Sequence, residues 1–446
     1  MSIARTGSYA FLAAISQQTF NVLHFLLIAR WITPDEMGVW AMSATLVTFG
    51  EMMRLGLMQN AMVHFGAKHP DERPQIVRTG FILNVLCAVL IAAVMWGIAF
   101  GFAPVWNMPT LPTFFAWYPL VAVAYGQMRF NDACRMMEGD FRGAFLSQVV
   151  YGGTYVLTTV LLHVFAGGPT LLQLMLLQAV AGFATIPALR ILRAAPIQHG
   201  VFRREWVPKL LNYGRYGLGT NLFSMLFQRV DMLLLGAFVP AAGVALYTVA
   251  TRLNGYLDLP LNSLGQAFFP KIAAEKHNPN GNLPALLEKS TGLLLALALP
   301  SMLGMVLLAT PLVWVLAGKQ YLAAAPLVQI LALAAIVKPW GRMFGVTLDA
   351  IGAPQWNFRM MLASFFVTLA LNALLIPRWG VYGAAAASGL SIFVTILAGQ
   401  LLLQQLVRVR MWAAWSHVLP AYKMLFGKIT DWARRQPAAQ KPDFHA

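Results

Sequence analysis

The stretch that decides the fold reads Arg229-Val-Asp231-Met-Leu-Leu-Leu-Gly236 and continues, after two residues, as Val239-Pro240-Ala-Ala-Gly243-Val-Ala-Leu-Tyr247. It closes a nearly continuous apolar run, Leu211 to Phe238, that is long enough to cross a bilayer as a helix of about 20 residues. A turn with Pro240 and Gly243 follows, and a second apolar run carries Arg252. Because charges at membrane depth are costly, they usually face a bundle interior or a wet cavity. The stretch therefore predicts a charged hairpin of two membrane helices.

A second copy of this design lies near the N-terminus. There Ile28 to Trp40 joins two apolar runs, and the second run carries Glu51 and Arg54. Two charged hairpins, separated by roughly half the chain, indicate a duplicated transporter. The composition agrees, because 59% of the 446 residues are hydrophobic and only 11% are charged, whereas soluble domains carry about 25% charged residues.

The apolar runs predict about twelve membrane-spanning helices, since barrel strands would be shorter and would alternate in polarity. The predicted spans are 8–30, 38–62, 79–103, 113–134, 143–166, 170–192, 211–237, 242–268, 290–317, 323–349, 357–377 and 382–407. Six spans in each half would make both halves enter the membrane from the same side, as a parallel repeat about the membrane normal. We therefore predict an N-terminal lobe at 1–194, a linker at 195–210, a C-terminal lobe at 211–407 and a tail at 408–446.

The distribution of basic residues predicts the orientation. The net charge is +16, and most lysines and arginines fall in the segments that lie inside if the N-terminus is cytoplasmic. Both termini are therefore predicted to be cytoplasmic. In the tail, apolar and aromatic residues recur every three to four positions from Met411 to Trp432, which predicts an amphipathic helix at the membrane interface.

Several charges lie inside the predicted spans. Glu51 and Arg54, and likewise Arg129 and Asp132, are three residues apart and can pair within their own helices. Each pair is either a self-neutralised structural feature or part of a functional site, and the sequence leaves both interpretations open.

Other charged residues are harder to explain as local pairs. Arg252 has no acid among its helical neighbours, and Arg229 and Asp231 point to different faces. Lys338 and Arg342 are four residues apart, so two positive charges share one face.

We predict that Lys338, Arg342 and Arg252 line a cavity that accepts an anion. The alternative is a set of interhelical salt bridges, with Asp231 or Asp258 as partners. Asp349 could reach part of the face that carries Arg342, as a single counter-charge.

The sequence was also searched for motifs that bind nucleotides or metals, and for disulfide-forming cysteines. We find no phosphate-binding loop of the Walker type and no histidine and cysteine cluster with metal-ligand spacing. Cys87 and Cys134 lie in or beside apolar spans, so we predict free thiols. We therefore predict no metal, no cofactor and no enzymatic activity, and leave proton or sodium coupling open.

The chain resembles the multidrug/oligosaccharidyl-lipid/polysaccharide exporter superfamily, and within it the bacterial polysaccharide biosynthesis proteins that act as O-antigen and exopolysaccharide flippases. The matching motifs, in order, are Thr33-Pro-Asp-Glu-Met-Gly38-Val-Trp-Ala41, Arg54-Leu-Gly-Leu57, the two segments quoted at the start, Phe268-Phe-Pro270, Gly318-Lys-Gln-Tyr321-Leu-Ala-Ala-Ala-Pro326-Leu and Ile376-Pro-Arg-Trp-Gly380-Val-Tyr-Gly383-Ala-Ala-Ala. Each motif is loose, but the series is fairly specific. Some members have fourteen spans, whereas this chain has about twelve by prediction.

The resemblance implies the multidrug and toxin extrusion fold, with two lobes around a central cavity that opens alternately to each side. It implies a flippase that moves a polyprenyl-diphosphate-linked oligosaccharide from the inner to the outer leaflet of the bacterial inner membrane. The implied partners are that glycan, membrane lipids, a glycan polymerase and other assembly proteins. The positions that match the family's charged hairpins are Arg54, Arg229, Asp231 and Arg252.

The predicted site therefore has two groups of residues. The cavity cations that would bind substrate are Arg54, Arg229, Arg252, Lys338 and Arg342, and the coupling or counter-charge residues are Glu51, Asp231 and Asp349. Two other functions compete with the flippase. A multidrug antiporter of the same fold would favour an acidic cavity, although bases outnumber acids within these spans. A membrane-embedded glycosyltransferase or ligase could use Asp35 or Glu36, but the outer loops are short.

Overall fold

The computed structural model describes residues 3–192, 197, 200–276 and 278–424, and in these residues the chain is helical with no strand. The helices are α1 (Ile3–Trp31), α2 (Pro34–Arg54), α3 (Asn60–Lys68), α4 (Arg73–Phe102), α5 (Leu111–Ala116), α6 (Tyr118–Met137), α7 (Phe141–Ala166), α8 (Leu171–Ile191), α9 (Trp206–Phe238), α10 (Ala241–Lys276), α11 (Leu283–Leu307), α12 (Ala309–Ala317), α13 (Ala325–Ala334), α14 (Lys338–Ala350) and α15 (Pro354–Val407). A π-helical turn, Leu55–Gln59, joins α2 to α3. Every predicted span coincides with one or more of these helices.

The apolar character of these helices defines a multi-pass membrane protein. Seven helical stretches among the described residues are long and apolar enough to cross a membrane. The four helices α2, α6, α9 and α10 are not among them, and these four carry most of the charges predicted at membrane depth. The long helix α15 is two helices joined at Gly380, where φ is 55°. That left-handed conformation favours glycine, and it lies between the predicted spans 357–377 and 382–407.

The chain divides into two compact units. The first unit contains Met1–Val249, Val313–Ala324 and Ile376–Ala384, and the second contains Ala250–Leu312, Ala325–Leu375 and Ala385–Ala446. These units do not follow the predicted lobes, because α9 belongs to the first unit. The predicted lobes therefore stay a prediction. Residues 195, 196, 198 and 199 of the predicted linker, and the tail from residue 425 onward, lie outside the described residues.

Small residues explain why α9 packs in the first unit. A methyl group added at Gly214 on α9 would lie 1.8 Å from the backbone oxygen of Leu57, and one added at Gly56 would lie 2.5 Å from the backbone oxygen of Gly217. The π-helical turn and α9 therefore approach backbone to backbone, as small residues permit in membrane helices. Beside this contact lies a buried core that includes Met58, Met62, Phe130, Cys134, Trp206 and Leu210.

The turns of the two similar hairpins meet within the first unit. Thr33 and Glu36 form a reciprocal capping box that begins α2, with the Thr33 amide donating to the Glu36 carboxylate at 2.9 Å. Asp35 then accepts a hydrogen bond from the Ala242 amide at 3.2 Å. A methyl group at Gly38 would lie 1.8 Å from the Ala241 oxygen. The motif glycine at position 38 therefore permits close packing between the two hairpins.

The second unit contains the first part of the tail. Met411–His417 forms a short 3-10 helix, and a helical turn continues to residue 424. Ala414, Val418 and Ala421 are buried and pack with residues of α11 such as Leu295, while Trp412 and Leu419 are exposed. The exposed residues of this segment include members of the predicted apolar stripe, and the interfacial amphipathic helix stays a prediction.

Candidate functional site

Glu51 and Arg54 form a buried pair near the end of α2. Both residues are at least 95% buried. The Arg54 guanidinium donates to the Glu51 carboxylate through Nε, at 3.2 Å, and through Nη2. Its Nη1 donates to Asn84 Oδ1 at 2.6 Å and to the Gly126 carbonyl at 3.0 Å. The charge of Arg54 is thus matched by a carboxylate, and its donors are bound within the first unit.

The second local pair is looser. Arg129 Nη1 lies 4.0 Å from Asp132 Oδ2, which also accepts a hydrogen bond from Gln148 at 2.7 Å. Asp132 is 2% exposed. A direct hydrogen bond needs a shorter distance, so Gln148 is the closer partner of this carboxylate.

Asp231 and Tyr247 join the two helices of the second hairpin. The Tyr247 hydroxyl donates to Asp231 Oδ2 at 2.5 Å, and the Met232 amide donates to Asp231 Oδ1 at 2.8 Å. A short hydrogen bond to a carboxylate is among the stronger ones in proteins. Arg229 is partly buried two residues away, and it forms no ion pair within the described residues. Within the described part of the chain, the hairpin thus pairs its acid with a hydroxyl, and its arginine has no salt bridge.

Lys338 pairs with Asp258 in the second unit. Its Nζ lies 2.8 Å and 2.9 Å from the two carboxylate oxygens of Asp258. The two residues come from α14 and α10, so this is the interhelical salt bridge that the sequence offered as an alternative to an anion cavity. In this conformation the charge of Lys338 is neutralised.

Arg342 lies one turn further along α14 and is held differently. Its Nη2 donates to the backbone oxygen of Asn262 at 3.2 Å. Its Nε is buried and has no partner in the described part of the chain. The side chain lies directly over Gly265, where an added methyl group would be 2.7 Å from the arginine Cγ. Arg342 therefore has a neutral backbone acceptor where Lys338 has a carboxylate.

Two further predicted residues flank this region. Asp349 is exposed and accepts a hydrogen bond from Asn357 Nδ2 at 3.2 Å. Arg252 is partly buried on α10. Among the described contacts, Asp349 forms no ion pair with Lys338 or Arg342.

The residues that sequence reasoning missed are mostly neutral partners. Asn84, Gly126 and Asn262 supply acceptors from other helices, and no local spacing identifies them. Tyr247 was identifiable, because it lies in the quoted motif opposite Asp231 across the turn at Pro240. Among the described residues, no group of three or more His, Cys, Asp or Glu side chains could hold a metal ion.

The fold is that of a known class of membrane transporters. A lipid II flippase, MurJ, in an inward closed conformation, superposes with a TM-score of 0.69 at 13% identity, over 95% of this chain and 92% of that chain. An inward-facing multidrug resistance MATE family transporter of the MOP superfamily superposes with a TM-score of 0.63 at 13% identity, over 90% of this chain and 98% of that chain. At this identity the likeness shows the fold alone, and it confirms the predicted fold class.

The family follows from the sequence itself. The model of a family described as "Polysaccharide biosynthesis protein" matches residues 27–326, which is more than half of the chain. The chain belongs to this family, so the predicted membership is confirmed.

Curated relatives share parts of the sequence. A Haloferax volcanii protein named "Probable low-salt glycan biosynthesis flippase" is 24% identical over 186 residues, 42% of this chain and 39% of that protein. The teichuronic acid biosynthesis protein TuaB of Bacillus subtilis is 23% identical over 240 residues, 50% of this chain and 48% of that protein. The chain therefore matches less than half the length of each of these relatives.

Proposed function

We propose that this protein is a flippase that moves a polyprenyl-diphosphate-linked oligosaccharide from the inner to the outer leaflet of the bacterial inner membrane. Membership of the polysaccharide biosynthesis family supports this, as does a fold shared with a protein named as a lipid II flippase. A relative that is named as a glycan biosynthesis flippase supports the class of substrate. The proposal includes no enzymatic step.

The observation that carries the proposal is the state of Arg342. Its neighbour Lys338 is neutralised by Asp258, whereas Arg342 has a backbone oxygen as partner and a buried Nε with no partner among the described residues. A partly buried cation that lacks a carboxylate has an unfavourable solvation energy. A diphosphate would offset this cost, because a guanidinium binds phosphate oxygens through two parallel hydrogen bonds. We propose that Arg342 contacts the diphosphate during translocation.

Arg229 is the corresponding candidate in the first unit. It is partly buried and forms no ion pair in the described part of the chain, while the nearby Asp231 is bound by Tyr247. We propose that Arg229 also contacts the anionic group at some stage of transport. Arg54 and Lys338 fit a direct contact less well, because each has a carboxylate partner in this conformation.

The orientation is part of the proposal. The loop charges support cytoplasmic termini, and in that orientation the substrate would enter from the side where glycolipids are assembled. Cysteines introduced at 68–78 should react with a thiol reagent only after the inner membrane is permeabilised. Cysteines at 104–112 should react in intact spheroplasts, and the opposite pattern would reverse the proposed direction.

Charge reversal at Arg342 tests the function. We expect Arg342→Glu to abolish surface polysaccharide in a strain that depends on this protein, while the variant still accumulates in the membrane. Arg342→Lys should retain partial export, because the point charge remains and the bidentate geometry is lost. Arg359→Glu is a matched control, since Arg359 is an exposed arginine of the same unit that packs on Trp356.

Two results would count against the proposal. Normal export from Arg342→Glu would remove Arg342 from the path of the substrate. Loss of resistance to cationic drugs, with polysaccharide unchanged in the deletion strain, would instead indicate a multidrug antiporter of the same fold.

A further inference from the structure

The second unit contains a cavity of about 390 Å³ that the proposed transport function does not use. Its walls are the C-terminal end of α10, the N-terminal half of α11 and the tail from His417 to Met424. Phe268 and Leu293 provide apolar walls, and Lys271 and Lys289 provide two positive charges. The cavity therefore combines a cationic part with an apolar part in one space.

The tail wall of this cavity is packed tightly on α11. A methyl group added at Gly292 would lie 2.6 Å from both the Ala414 backbone oxygen and the His417 Cβ. Further along, the Tyr422 hydroxyl donates to the Ala296 backbone oxygen at 2.6 Å. Two separate contacts thus fix the tail against α11, and the cavity is a built feature of the unit.

Among the described residues, three polar side chains of the cavity have no hydrogen-bonding or ionic partner. Ser290 is 1% exposed and lines the cavity, and its hydroxyl has no hydrogen-bond partner in the described part of the chain. Lys271 and Lys289 form no ion pair within the described residues, and the Lys271 ammonium lies 5.9 Å from the centre of the Phe268 ring. The nearby acid Glu288 accepts a hydrogen bond from the Arg410 amide at 3.1 Å. A buried hydroxyl without a partner is costly, so an acceptor from a ligand would complete the site.

We propose that this cavity binds an anionic phospholipid of the phosphatidylglycerol type. The phosphodiester would lie between Lys271 and Lys289 and accept a hydrogen bond from the Ser290 hydroxyl, and an acyl chain would pack on Phe268 and Leu293. Basic pockets on the cytoplasmic side of membrane helices bind such headgroups, and the loop between α10 and α11 is predicted to be cytoplasmic. The apolar walls favour a lipid over free phosphate, which would use only the cationic part.

The test compares lipids on the purified, delipidated full chain. Native mass spectrometry and thermal unfolding are measured with phosphatidylglycerol, phosphatidylcholine, inorganic phosphate and glycerophosphoglycerol, the soluble headgroup without acyl chains. We expect phosphatidylglycerol alone to bind tightly and raise the melting temperature. Lys271→Gln with Lys289→Gln should weaken its binding about tenfold or more, because each lysine contributes to attraction of an anionic lipid. Ser290→Ala, which changes little else, should weaken binding severalfold.

The matched control replaces two exposed lysines of the first unit, Lys68→Gln with Lys319→Gln, and should bind phosphatidylglycerol as the wild type does. Equal loss in this control would mean that net charge attracts the lipid, and the site would be refuted. Equal binding by phosphatidylcholine would also refute it. If inorganic phosphate or glycerophosphoglycerol stabilises the protein to the same extent, the ligand of this site is a soluble phosphate and not a lipid. Since none of these residues has a role in the proposed transport, failure here leaves the Arg342 result unaffected.

Discussion

The substitution Glu51→Gln should destabilise the protein strongly, because it leaves the Arg54 guanidinium buried without a counter-charge. Arg54 is 2% exposed, and two of the hydrogen bonds that its guanidinium donates are accepted by the Glu51 carboxylate. The other two acceptors, on Asn84 and Gly126, are neutral. Removing one partner of a buried ion pair typically costs about 3–5 kcal/mol. This corresponds to a decrease of roughly 10²- to 4 × 10³-fold in the ratio of folded to unfolded protein.

A double substitution separates the charge from the packing. Glu51→Leu with Arg54→Met removes both charges and keeps apolar volume, and Asn84 retains its contact to the Gly126 carbonyl at 3.4 Å. Replacing a buried pair in this way is often neutral, so most of the stability should return. The free energy of unfolding would be measured by SDS titration in mixed micelles for the wild type, for Glu51→Gln and for the double variant.

Two results would contradict the prediction that an uncompensated charge on Arg54 causes the loss of stability. If Glu51→Gln has the same free energy of unfolding as the wild type but exports no polysaccharide, the Glu51 carboxylate takes part in transport. That result would favour the interpretation of the Glu51–Arg54 pair as part of a functional site. A double variant that is as unstable as Glu51→Gln would show that hydrogen-bond geometry, and not an uncompensated charge, causes the loss.

Further predictions concern the other acids. Tyr247→Phe should destabilise the protein by about 1.5–3 kcal/mol, the usual worth of a hydrogen bond to a charged group. Asp231→Asn should still fold but should impair transport, and normal export from this variant would leave Asp231 with a structural role only. Exchange of the charges in Asp258→Lys with Lys338→Asp should restore both the membrane level and the export that Asp258→Asn reduces, if the salt bridge acts only by pairing two helices. Export that stays absent in the exchanged variant, at normal protein level, would show that the position of the lysine matters to transport.

The positions of the helices could be predicted because apolar runs have few alternatives in a membrane. The gap between spans 357–377 and 382–407 is an example, since Pro377 and Gly380 identify it, and the break occurs at Gly380. The π-helical turn Leu55–Gln59 could not be predicted. It depends on how closely α9 approaches, which sequence spacing within one helix does not report.

The candidate site was predicted only in part, for a related reason. Helical spacing identified Glu51 as the partner of Arg54, because the two residues share one helix. It placed Lys338 and Arg342 on one face, but it could not say that Asp258 faces the lysine while a backbone oxygen faces the arginine. That difference is set by the register of α14 on α10. Spacing along the sequence predicts which residues contact each other within one helix. For contacts between helices it leaves more than one partner possible.

The basic residues differ in the free-energy cost of burying their charge, because they differ in their hydrogen-bond and ionic partners. Arg54 and Lys338 each have a carboxylate within salt-bridge distance, so adding an anion would bring a third charge to a neutral pair. Arg229 and Arg342 have no ion pair in the described part of the chain, and burial in a membrane protein makes such charges expensive. An anionic substrate lowers that cost when it binds, whereas a cationic drug would raise it. The arginines without a carboxylate partner among the described residues therefore support the proposal of an anionic substrate over a cationic one.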